Sequence, residues 1–510
     1  MELNNKRVLV VGLGKSGLAA ARFMKERGAR VTVSDARPAT LIAELPALVE
    51  QGIMVEAGSH GLLTFRRQDL IVVSPGVPMS TPELKQVRAM GMPIISELEL
   101  GWRFLQGEVV AITGSNGKTT TTTLMGEILK VDGRATLVGG NIGRPVTEMV
   151  GESVELSRRS GQQAGPSTAD GAKSAPTSAQ DDNVVEGRKE ADPSATLRDD
   201  NQNGLLPDDN AAAGGGQVWN VLEVSSFQLE TVVEFRPRIA MVLNITPDHL
   251  DRHGTFEAYA AAKARITEKQ IAEDFLVLNA EDAPTQMVAA KTKAQIYWFS
   301  PRRQVKQGAF VHGESIFFTA SEGAKPEPVM PVAEIPLAGA HNVENVLAAV
   351  CAGRLAGVPP EIIRKAVACF KAVEHRLEFV RAVNDVRYYN DSKATNVDAT
   401  SKAVASFPGG IHLILGGKDK DSDYATLSPL LRERVKTVIT IGSAAEKIER
   451  QLAGVAKIER AETMERAVAF AHRTAVAGDT VLLAPACASF DQFENYEHRG
   501  RVFKELVRQL

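Results

Sequence analysis

The segment 109–120 could bind a polyphosphate, because an apolar strand runs into a glycine-rich loop that carries one lysine. The loop reads Thr-Gly-Ser-Asn-Gly-Lys-Thr from Thr113, and a helical pattern follows it. Backbone N–H groups of such a loop, together with a helix N-terminus, form an anion site. Lys118 would reach the terminal phosphates, and the hydroxyl of Thr119 would sit on Mg²⁺. The common P-loop is excluded, since its first glycine would fall at Ile112.

Residues that could ligate a metal follow two further apolar strands. Glu223 ends the strand 218–222, and His249 lies in a turn after the strand 239–243. Open α/β sheets place ligands at the carboxyl ends of their strands, and a carboxylate there suits Mg²⁺. The alternatives are a surface glutamate at a helix N-terminus and a solvated turn. We predict that His249 binds metal and that His253 is solvated.

Two helical patterns carry further candidates. Lys263 lies in an alanine-rich helix, where the alternative is an ordinary solvated lysine. Asn342 and Asn345 share one helical face, so they could hydrogen-bond a nucleotide or cap the helix.

Polar groups cluster beside the strands of the last third of the chain. The clusters are 375–378, 390–396, 418–420 and 488–493. Each is a weak signal alone, but all lie where a parallel strand ends. Their shared location predicts one substrate pocket.

The N-terminal sequence contains a second glycine turn that could hold a pyrophosphate. Gly12-x-Gly14-x-x-Gly17, with Asp35 further on, fits a dinucleotide fingerprint and would by itself suggest NAD. A UDP-sugar fits the same turn equally well. Because another phosphate loop follows at residue 113, a nucleotide-linked substrate is the better interpretation.

The elements that position these residues alternate between strand and helix patterns, which predicts an α/β fold with parallel sheets. We expect three domains: a Rossmann-like domain at 1–97, a central domain at 98–372 that carries the phosphate loop, and a C-terminal Rossmann-like domain at 373–510. Residues from about 151 to 216 have no aromatic side chain and are rich in small polar residues. We predict that they form a disordered insertion.

Composition narrows the function further. The chain has 510 residues and a formal net charge of -3, so nucleic acid binding is not expected. Its three cysteines lack metal-type spacing. Neither a signal peptide nor a membrane-spanning stretch is evident. We expect a cytoplasmic monomer without a membrane or nucleic acid partner.

The motifs together resemble the Mur ligase superfamily, over nearly the whole chain except the insertion. The motifs that carry the resemblance are ITGSNGKTT, GGNIG, EVSSFQLE, DHLDRHG, NDSKATN, LGGKDK and PACASFDQF. NDSKATN, LGGKDK and SFDQF are similar to its D-glutamate-adding branch, and the D-N-P-R motif of the diaminopimelate- or lysine-adding branch is absent.

The resemblance implies that 1–97 binds the UDP-substrate, that 98–372 is a P-loop-type ATPase domain and that 373–510 binds the amino acid. It also implies roles for individual residues. Catalysis would involve Lys118, Lys263 and His249. ATP would be bound by Gly114, Ser115, Asn116, Gly117, Lys118, Thr119, Thr120, Asn342, Asn345, Arg376 and Asp391. Mg²⁺ would be bound by Thr119, Glu223, His249 and Lys263, the last as a carbamate. The UDP-substrate would contact Lys15, Ser16, Asp35, Arg37 and Asn141, and D-glutamate would contact Thr395, Lys420, Ser489 and Tyr496.

The activity implied is ATP-dependent ligation of D-glutamate to UDP-N-acetylmuramoyl-L-alanine through an acyl phosphate, a step of peptidoglycan precursor synthesis. The chain departs from the family pattern at Lys15, Ala36 and Tyr496. Alternatives are a Mur-type ligase for another amino acid, a folylpolyglutamate synthetase, and a nucleotide-binding switch without ligase activity.

Overall fold

The protein is described here by a computed structural model, which covers residues 1–141, 143–163, 217–290, 292–337, 339–371 and 374–510. It contains three sheets that follow one another along the chain. Each sheet is mostly or wholly parallel, with helices between its strands. The predicted three-domain α/β fold is therefore confirmed.

The first sheet is wholly parallel. Its strands are β1 Arg7–Val11, β2 Arg30–Asp35, β3 Met54–Ala57, β4 Leu70–Val73 and β5 Ile94–Ser96. They lie in the order β3-β2-β1-β4-β5. The helices are α1 Lys15–Glu26, α2 Leu45–Glu50, α3 Leu62–Arg66, α4 Pro82–Ala89 and α5 Glu97–Trp102, with a 3₁₀ turn at Ala39–Leu41. The valines and leucine of β1 are fully buried, as expected for a strand covered on both faces.

The central sheet has nine strands. They are β6 Glu108–Thr113, β7 Thr136–Gly140, β8 Trp219–Glu223, β9 Ile239–Val242, β10 Phe275–Asn279, β11 Gln295–Ser300, β12 Gly308–His312, β13 Ser315–Thr319 and β14 Glu327–Pro331. Their order is β14-β13-β12-β11-β10-β9-β6-β8-β7, and only the β12-β13-β14 end is antiparallel. Strand β6, which leads into the phosphate loop, therefore lies between β8 and β9, which lead to Glu223 and His249.

The helices of this part cover both faces of the sheet. They are α6 Lys118–Val131, α7 Val146–Gln163, α8 Ser226–Leu229, α9 Leu250–His253, α10 Phe256–Ala264, α11 Ala283–Ala289, α12 Ala340–Leu355 and α13 Pro360–Ala368, with 3₁₀ turns at Arg265–Thr267 and Val332–Glu334. The apolar residues of α6 and α12 pack in the main core on one face.

The third sheet has six strands. They are β15 Glu378–Val383, β16 Val386–Asn390, β17 Ile411–Gly416, β18 Val435–Ile441, β19 Lys457–Glu462 and β20 Thr480–Leu483, in the order β15-β16-β20-β17-β18-β19. Only β15 is antiparallel to its neighbour. The helices are α14 Val397–Ala405, α15 Ser428–Arg434, α16 Ala445–Gln451, α17 Met464–Thr474 and α18 Tyr496–Arg508, with a 3₁₀ turn at Tyr424–Leu427.

We propose that the domain boundaries fall at 97/98 and 372/373, because these positions lie between the three sheets. The prediction that an insertion begins at about residue 151 is wrong in one respect, since α7 continues to Gln163. Val150 and Val154 pack against the core of the first sheet, and Leu156 packs against the central core. The remainder of the predicted insertion, 164–216, lies outside the described residues.

Within the described residues, every helix is either too short or too polar to cross a membrane.

Helix α5, at the junction of the first two sheets, contains a buried carboxyl with an unsatisfied oxygen. Oε1 of Glu97 accepts hydrogen bonds from the Thr147 backbone N at 2.7 Å and its hydroxyl at 2.8 Å. Oε2 has no hydrogen-bond partner in the part of the chain that the structure describes. Burial raises the pKa of Glu97 to about 7, against the hydrogen bonds from Thr147.

We expect the substitution Glu97→Gln to change the free energy of unfolding more favourably at pH 8 than at pH 5. The folded protein binds this proton more tightly than the unfolded chain, so the contribution of Glu97 to stability is present below its usual pKa and is lost as the pH rises to 7. The amide avoids burying a charge, although it leaves its two N–H groups unpaired. Denaturant unfolding of both proteins at pH 5 and pH 8 measures the effect.

Glu99 on the same helix provides a matched control. Its carboxylate accepts hydrogen bonds from Arg103 and from the backbone N of Val233, Glu234 and Phe235. Glu99→Gln should therefore destabilise the protein at both pH values. An equal stability change at pH 5 and pH 8 for Glu97→Gln would contradict the expectation.

Candidate active site

A cavity of about 200 Å³ lies between the carboxyl edge of the central sheet and the third sheet. Most of the residues predicted to bind ATP or metal line it. They are Ser115, Asn116, Gly117, Lys118, Thr119, Thr120, Glu223, His249, Asn342, Asn345, Arg376 and Asp391, joined by Asn141 and Thr395 from the two substrate sets. Strand order explains this convergence, because β8, β6 and β9 are neighbours.

The phosphate loop has a conformation that only particular residues permit. Gly117 has φ +85°, and a Cβ there would lie 2.2 Å from Oδ1 of Asn345. The Lys118 ammonium donates to the carbonyls of Gly114 at 2.8 Å and Ser115 at 2.9 Å. Burial lowers the pKa of Lys118, against the charge of Glu223. The Lys118 ammonium is thus held at the N-terminus of α6, where phosphates would bind.

Neighbouring strands brace the loop. Asn116 N donates to Oδ1 of Asn244 at 2.8 Å, and Nδ2 of Asn244 donates back to the Asn116 carbonyl at 3.2 Å. The Ser115 hydroxyl donates to the carbonyl of Thr246 at 2.9 Å and contacts the Tyr259 hydroxyl at 3.0 Å. These contacts fix the loop on the turn that carries His249.

Glu223 is buried at the end of β8, so the alternative of a surface glutamate is wrong. Its two oxygens accept hydrogen bonds from the Thr119 hydroxyl and from Asn141 Nδ2, both at 2.8 Å. Burial alone would raise the pKa of Glu223, but the charges of Lys393 and Lys118 and these hydrogen bonds outweigh it, so the pKa lies below its ordinary value. An ionised carboxylate is therefore maintained beside the phosphate loop.

His249 lines the same cavity in a left-handed conformation, with φ +53°. Its ring packs edge-on against Phe227, with centroids 4.8 Å apart. Burial lowers the pKa of His249 to about 4, against the opposing charge of Asp248. A neutral imidazole can ligate a metal. The prediction that His253 is solvated is wrong, because its side chain is buried and stacks on Phe227.

Lys263 is fully buried, so the alternative of a solvated helix lysine is wrong. Its ammonium donates to the Gly114 carbonyl at 2.8 Å, which also accepts from Lys118. Burial, followed by the charge of Lys118, lowers the pKa of Lys263 well below its ordinary value. Lys263 thus lies beneath the phosphate loop and is not among the residues that line the cavity.

Arg376, which precedes the third sheet, and Asp391, which follows β16, both line the cavity. Arg376 Nη2 donates to the Thr119 hydroxyl at 3.0 Å, and its buried Nε has no partner among the described residues. Both neighbours, His375 at φ +66° and Leu377 at φ +40°, are left-handed, which is strained for these side chains. Burial raises the pKa of Asp391 to about 7, against the charge of Arg376.

The helix asparagines form a pair rather than a cap. Asn345 Nδ2 donates to Asn342 Oδ1 at 3.0 Å, and Asn345 Oδ1 accepts from the Thr121 hydroxyl at 3.4 Å. Both are buried against the phosphate loop helix α6.

Sequence reasoning missed several residues that line the cavity. Lys393 is half-buried, and burial lowers its pKa to about 8, against the opposing charge of Glu223. His341, Glu344 and Lys402 also line the cavity. Lys393 had a signal in the NDSKATN motif, whereas the other three lie on ordinary helical faces.

The residues predicted to contact UDP divide between two places. Asp35 accepts hydrogen bonds from Leu13 N at 2.7 Å and from the Arg37 guanidinium at 3.0 Å, and its pKa falls to about 2 because these bonds outweigh the effect of burial. Lys15, the first residue of α1, donates to the Gly143 carbonyl, and Ser16 follows it in the first turn of the helix. Asn141 lies instead in the central cavity, on Glu223.

The residues predicted to contact D-glutamate lie on adjacent loops of the third sheet. Backbone bonds of 2.8 and 3.0 Å join Lys418 to Ala488 and place the loops that carry Lys420 and Ser489 side by side. Lys420 Nζ lies 3.7 Å from Asp248 Oδ1 in the central domain. Tyr496 lies under the ammonium of Lys393, 3.8 Å from its ring centroid. Of this set, only Thr395 lines the cavity.

Three family models match the chain. They are the Mur ligase MurD-like N-terminal domain at residues 6–96, the Mur ligase middle domain at 209–353 and the Mur ligase glutamate ligase domain at 375–487.

Curated relatives match over the full length. UDP-N-acetylmuramoylalanine–D-glutamate ligase of Acidobacterium capsulatum is 57% identical, over 99% of this chain and 97% of the relative. The protein of the same name from Koribacter versatilis is 54% identical over 100% of this chain and 99% of the relative.

Solved structures share the fold at low identity. The UDP-N-acetylmuramate–alanine ligase of Thermotoga maritima has a TM-score of 0.55 at 17% identity, over 99% of this chain and 100% of that one. A MurF ligase from the same organism, solved with ADP, has a TM-score of 0.52 at 15% identity, over 100% and 97%. The three domains, their cavity and the full-length identity together place the chain in the Mur ligase family, among the UDP-N-acetylmuramoylalanine–D-glutamate ligases.

Proposed function

We propose that this protein joins D-glutamate to UDP-N-acetylmuramoyl-L-alanine with ATP, through an acyl phosphate. The observation that carries the proposal is the convergence of the phosphate loop, Glu223 and Arg376 on one cavity that also borders the third domain. Full-length relatives at 54–57% identity support the same activity. They favour it over the switch and the folate enzyme considered above.

The reaction requires that a carboxylate be activated, since it does not condense with an amine in water. The substrate carboxylate attacks the γ-phosphorus of ATP and ADP leaves. The D-glutamate amine then attacks the acyl carbon, and phosphate leaves from the tetrahedral intermediate. Catalysis of these steps is largely positioning and charge neutralisation.

The chain supplies the groups that these steps need. The loop Gly114–Thr120 and Lys118 would hold the phosphates, and Arg376 is near enough to Thr119 to stabilise charge at the same place. Its unpartnered buried Nε among the described residues fits an anionic ligand. Asn342, Asn345 and Asp391 would contact the rest of ATP. Lys420, Thr395, Ser489 and Tyr496 would bind D-glutamate.

The residues near the phosphate loop also fit Mg²⁺. Thr119 and Glu223 offer oxygen, His249 offers a neutral nitrogen, and we propose Lys263, as a carbamate, for a further ligand. When bound, the cation would neutralise charge on the transferring phosphoryl group. The low pKa of the Glu223 carboxyl keeps the donor set anionic.

At the other end of the substrate, Lys15, Ser16, Asp35, Arg37 and Asn141 would serve the UDP-muramoyl portion. Asp35 holds the glycine turn through Leu13 N, so it would position that turn for the substrate. The full-length relatives favour a UDP-substrate over NAD. We propose further that the protein acts in the cytoplasm as a monomer.

Phosphate release tests the proposal. With ATP, Mg²⁺ and UDP-N-acetylmuramoyl-L-alanine, rapid release should require D-glutamate, because the acyl phosphate waits for the amine. L-Alanine with UDP-N-acetylmuramate is the control for the alternative Mur-type ligase. Release independent of any amino acid would indicate a nucleotide hydrolase or switch, and release with L-alanine would indicate the alternative ligase.

A further inference from the structure

Arg252 on α9 connects the central domain to the first domain. Its Nη1 donates to the carbonyl of Pro75 at 2.9 Å, and its Nη2 donates to the carbonyl of Val77 at 3.0 Å. Nη2 also donates to Oε2 of Glu230 at 2.8 Å, and the guanidinium lies 4.4 Å from the ring centroid of Phe227. Only 12% of the side chain is exposed. Hydrogen bonds from a charged group that is shielded from water are stronger than those on a surface.

On the first-domain side, Arg252 holds the turn that supports the glycine turn. Residues 74–77 follow β4 and pack directly beneath Gly12, where a Cβ would lie 2.6 Å from Val77 Cγ2 and 3.2 Å from Ser74 Cβ. The space between the two turns has no room for a side chain at position 12, and Ser74 N donates to the Val11 carbonyl at 2.9 Å, so the two turns are packed against each other. By donating to the carbonyls of residues 75 and 77, Arg252 therefore fixes the place where the substrate pyrophosphate would bind.

On the central-domain side, Arg252 lies on the short helix α9, which directly follows the turn that carries His249. Helix α9 begins directly after His249, and Phe227 contacts the ring of His249 at 4.8 Å as well as the guanidinium. One side chain thus spans from the His249 turn to the 74–77 turn that packs beneath the glycine turn of the first domain.

We infer that Arg252 is a positioning residue that sets the distance between the UDP site and the phosphate loop. This inference rests on the proposed function, in which one substrate molecule must reach both places. Its nucleotide end lies in the first domain and its carboxylate must meet the γ-phosphate in the central domain. Because the two ends belong to one molecule, a shift between the domains prevents both from binding well at once.

Replacing Arg252 by alanine should reduce kcat/KM for UDP-N-acetylmuramoyl-L-alanine by about tenfold to a hundredfold, as for misplacement of reacting groups by about an ångström. Binding of UDP alone and of ATP alone should stay near the wild-type values, since each ligand occupies one side of the boundary. Arg252→Lys keeps a cation that can reach part of this hydrogen-bond set, so it should recover part of the loss. Steady-state kinetics and calorimetry with UDP and with ATP measure these quantities.

Arg434 provides a matched control in the third domain. Its Nη1 donates to the carbonyls of Ala405 at 2.7 Å and Phe407 at 2.9 Å, so Arg434→Ala removes similar contacts away from this boundary. An unchanged kcat/KM in Arg252→Ala, or the same loss in Arg434→Ala, would overturn the inference. Equal weakening of UDP and ATP binding in Arg252→Ala would also overturn it, because that indicates general damage.

Should Arg252→Ala fail to fold, the lysine variant decides by the same comparison of kcat/KM with UDP and ATP binding. Turnover by the wild-type protein, measured first, tests the proposed function separately from the role of Arg252.

Discussion

Replacing Lys118 by alanine is expected to reduce turnover by about 10²–10³-fold, as for the loss of one preorganised electrostatic donor. The ammonium lies over the loop carbonyls of Gly114 and Ser115 and is the cation that would meet the terminal phosphates. Its partners are two backbone carbonyls, so the fold should survive. The measurement is kcat at saturating ATP, with thermal unfolding to check that the variant is folded.

Lys130 on the same helix serves as the control. It is exposed and pairs with Glu127 at 2.9 Å, an arrangement that contributes little to stability. Lys130→Ala should keep wild-type turnover. A folded Lys118→Ala variant with near-normal kcat would remove Lys118 from the mechanism.

Replacing Lys263 by alanine is expected to abolish nearly all activity, with partial recovery when acetate or formate is added. A cation beside Mg²⁺ would be repelled, whereas a carbamate is an anion that can bind and orient the metal. Carbamylation requires the neutral amine, and the low pKa of this buried lysine favours that form. Small carboxylates would occupy the vacated anion position.

The test of Lys263 has two parts. Turnover of the alanine variant is followed as acetate or formate is titrated, and wild-type protein in ¹³C-bicarbonate is examined by NMR for a carbamate signal. Lys269→Ala is the control, since Lys269 is exposed and pairs with Glu234. Full activity of Lys263→Ala in bicarbonate-depleted buffer would refute the carbamate role.

Much of the fold could be predicted because buried parallel strands read as short apolar runs. Strands β1, β4, β6 and β9 are of this kind, and their buried side chains match the runs. Strand β3 was missed, since it is an edge strand whose Met54 is 65% exposed. The helix at the start of the predicted insertion was missed, because only a few aliphatic residues of that segment pack against the neighbouring elements.

The site could be predicted where its chemistry is local in sequence, as in the loop from Gly114 to Thr120. It could not be predicted where the partner is distant or is backbone. Arg252 binds carbonyls some 175 residues away, and Glu97 is buried by a helix beyond the phosphate loop. The strained backbone around Arg376 likewise depends on packing that no spacing reveals.

In the first domain Arg252 binds two backbone carbonyls, and this has an evolutionary consequence. Every residue presents a backbone carbonyl, so a substitution at position 75 keeps the acceptor, whereas Val77 is constrained by its packing beneath Gly12. Position 252 lacks this freedom, because no other side chain offers the same planar fork of donors. Genetic drift at this boundary would therefore be one-sided, with a variable residue at position 75 facing an arginine that selection retains.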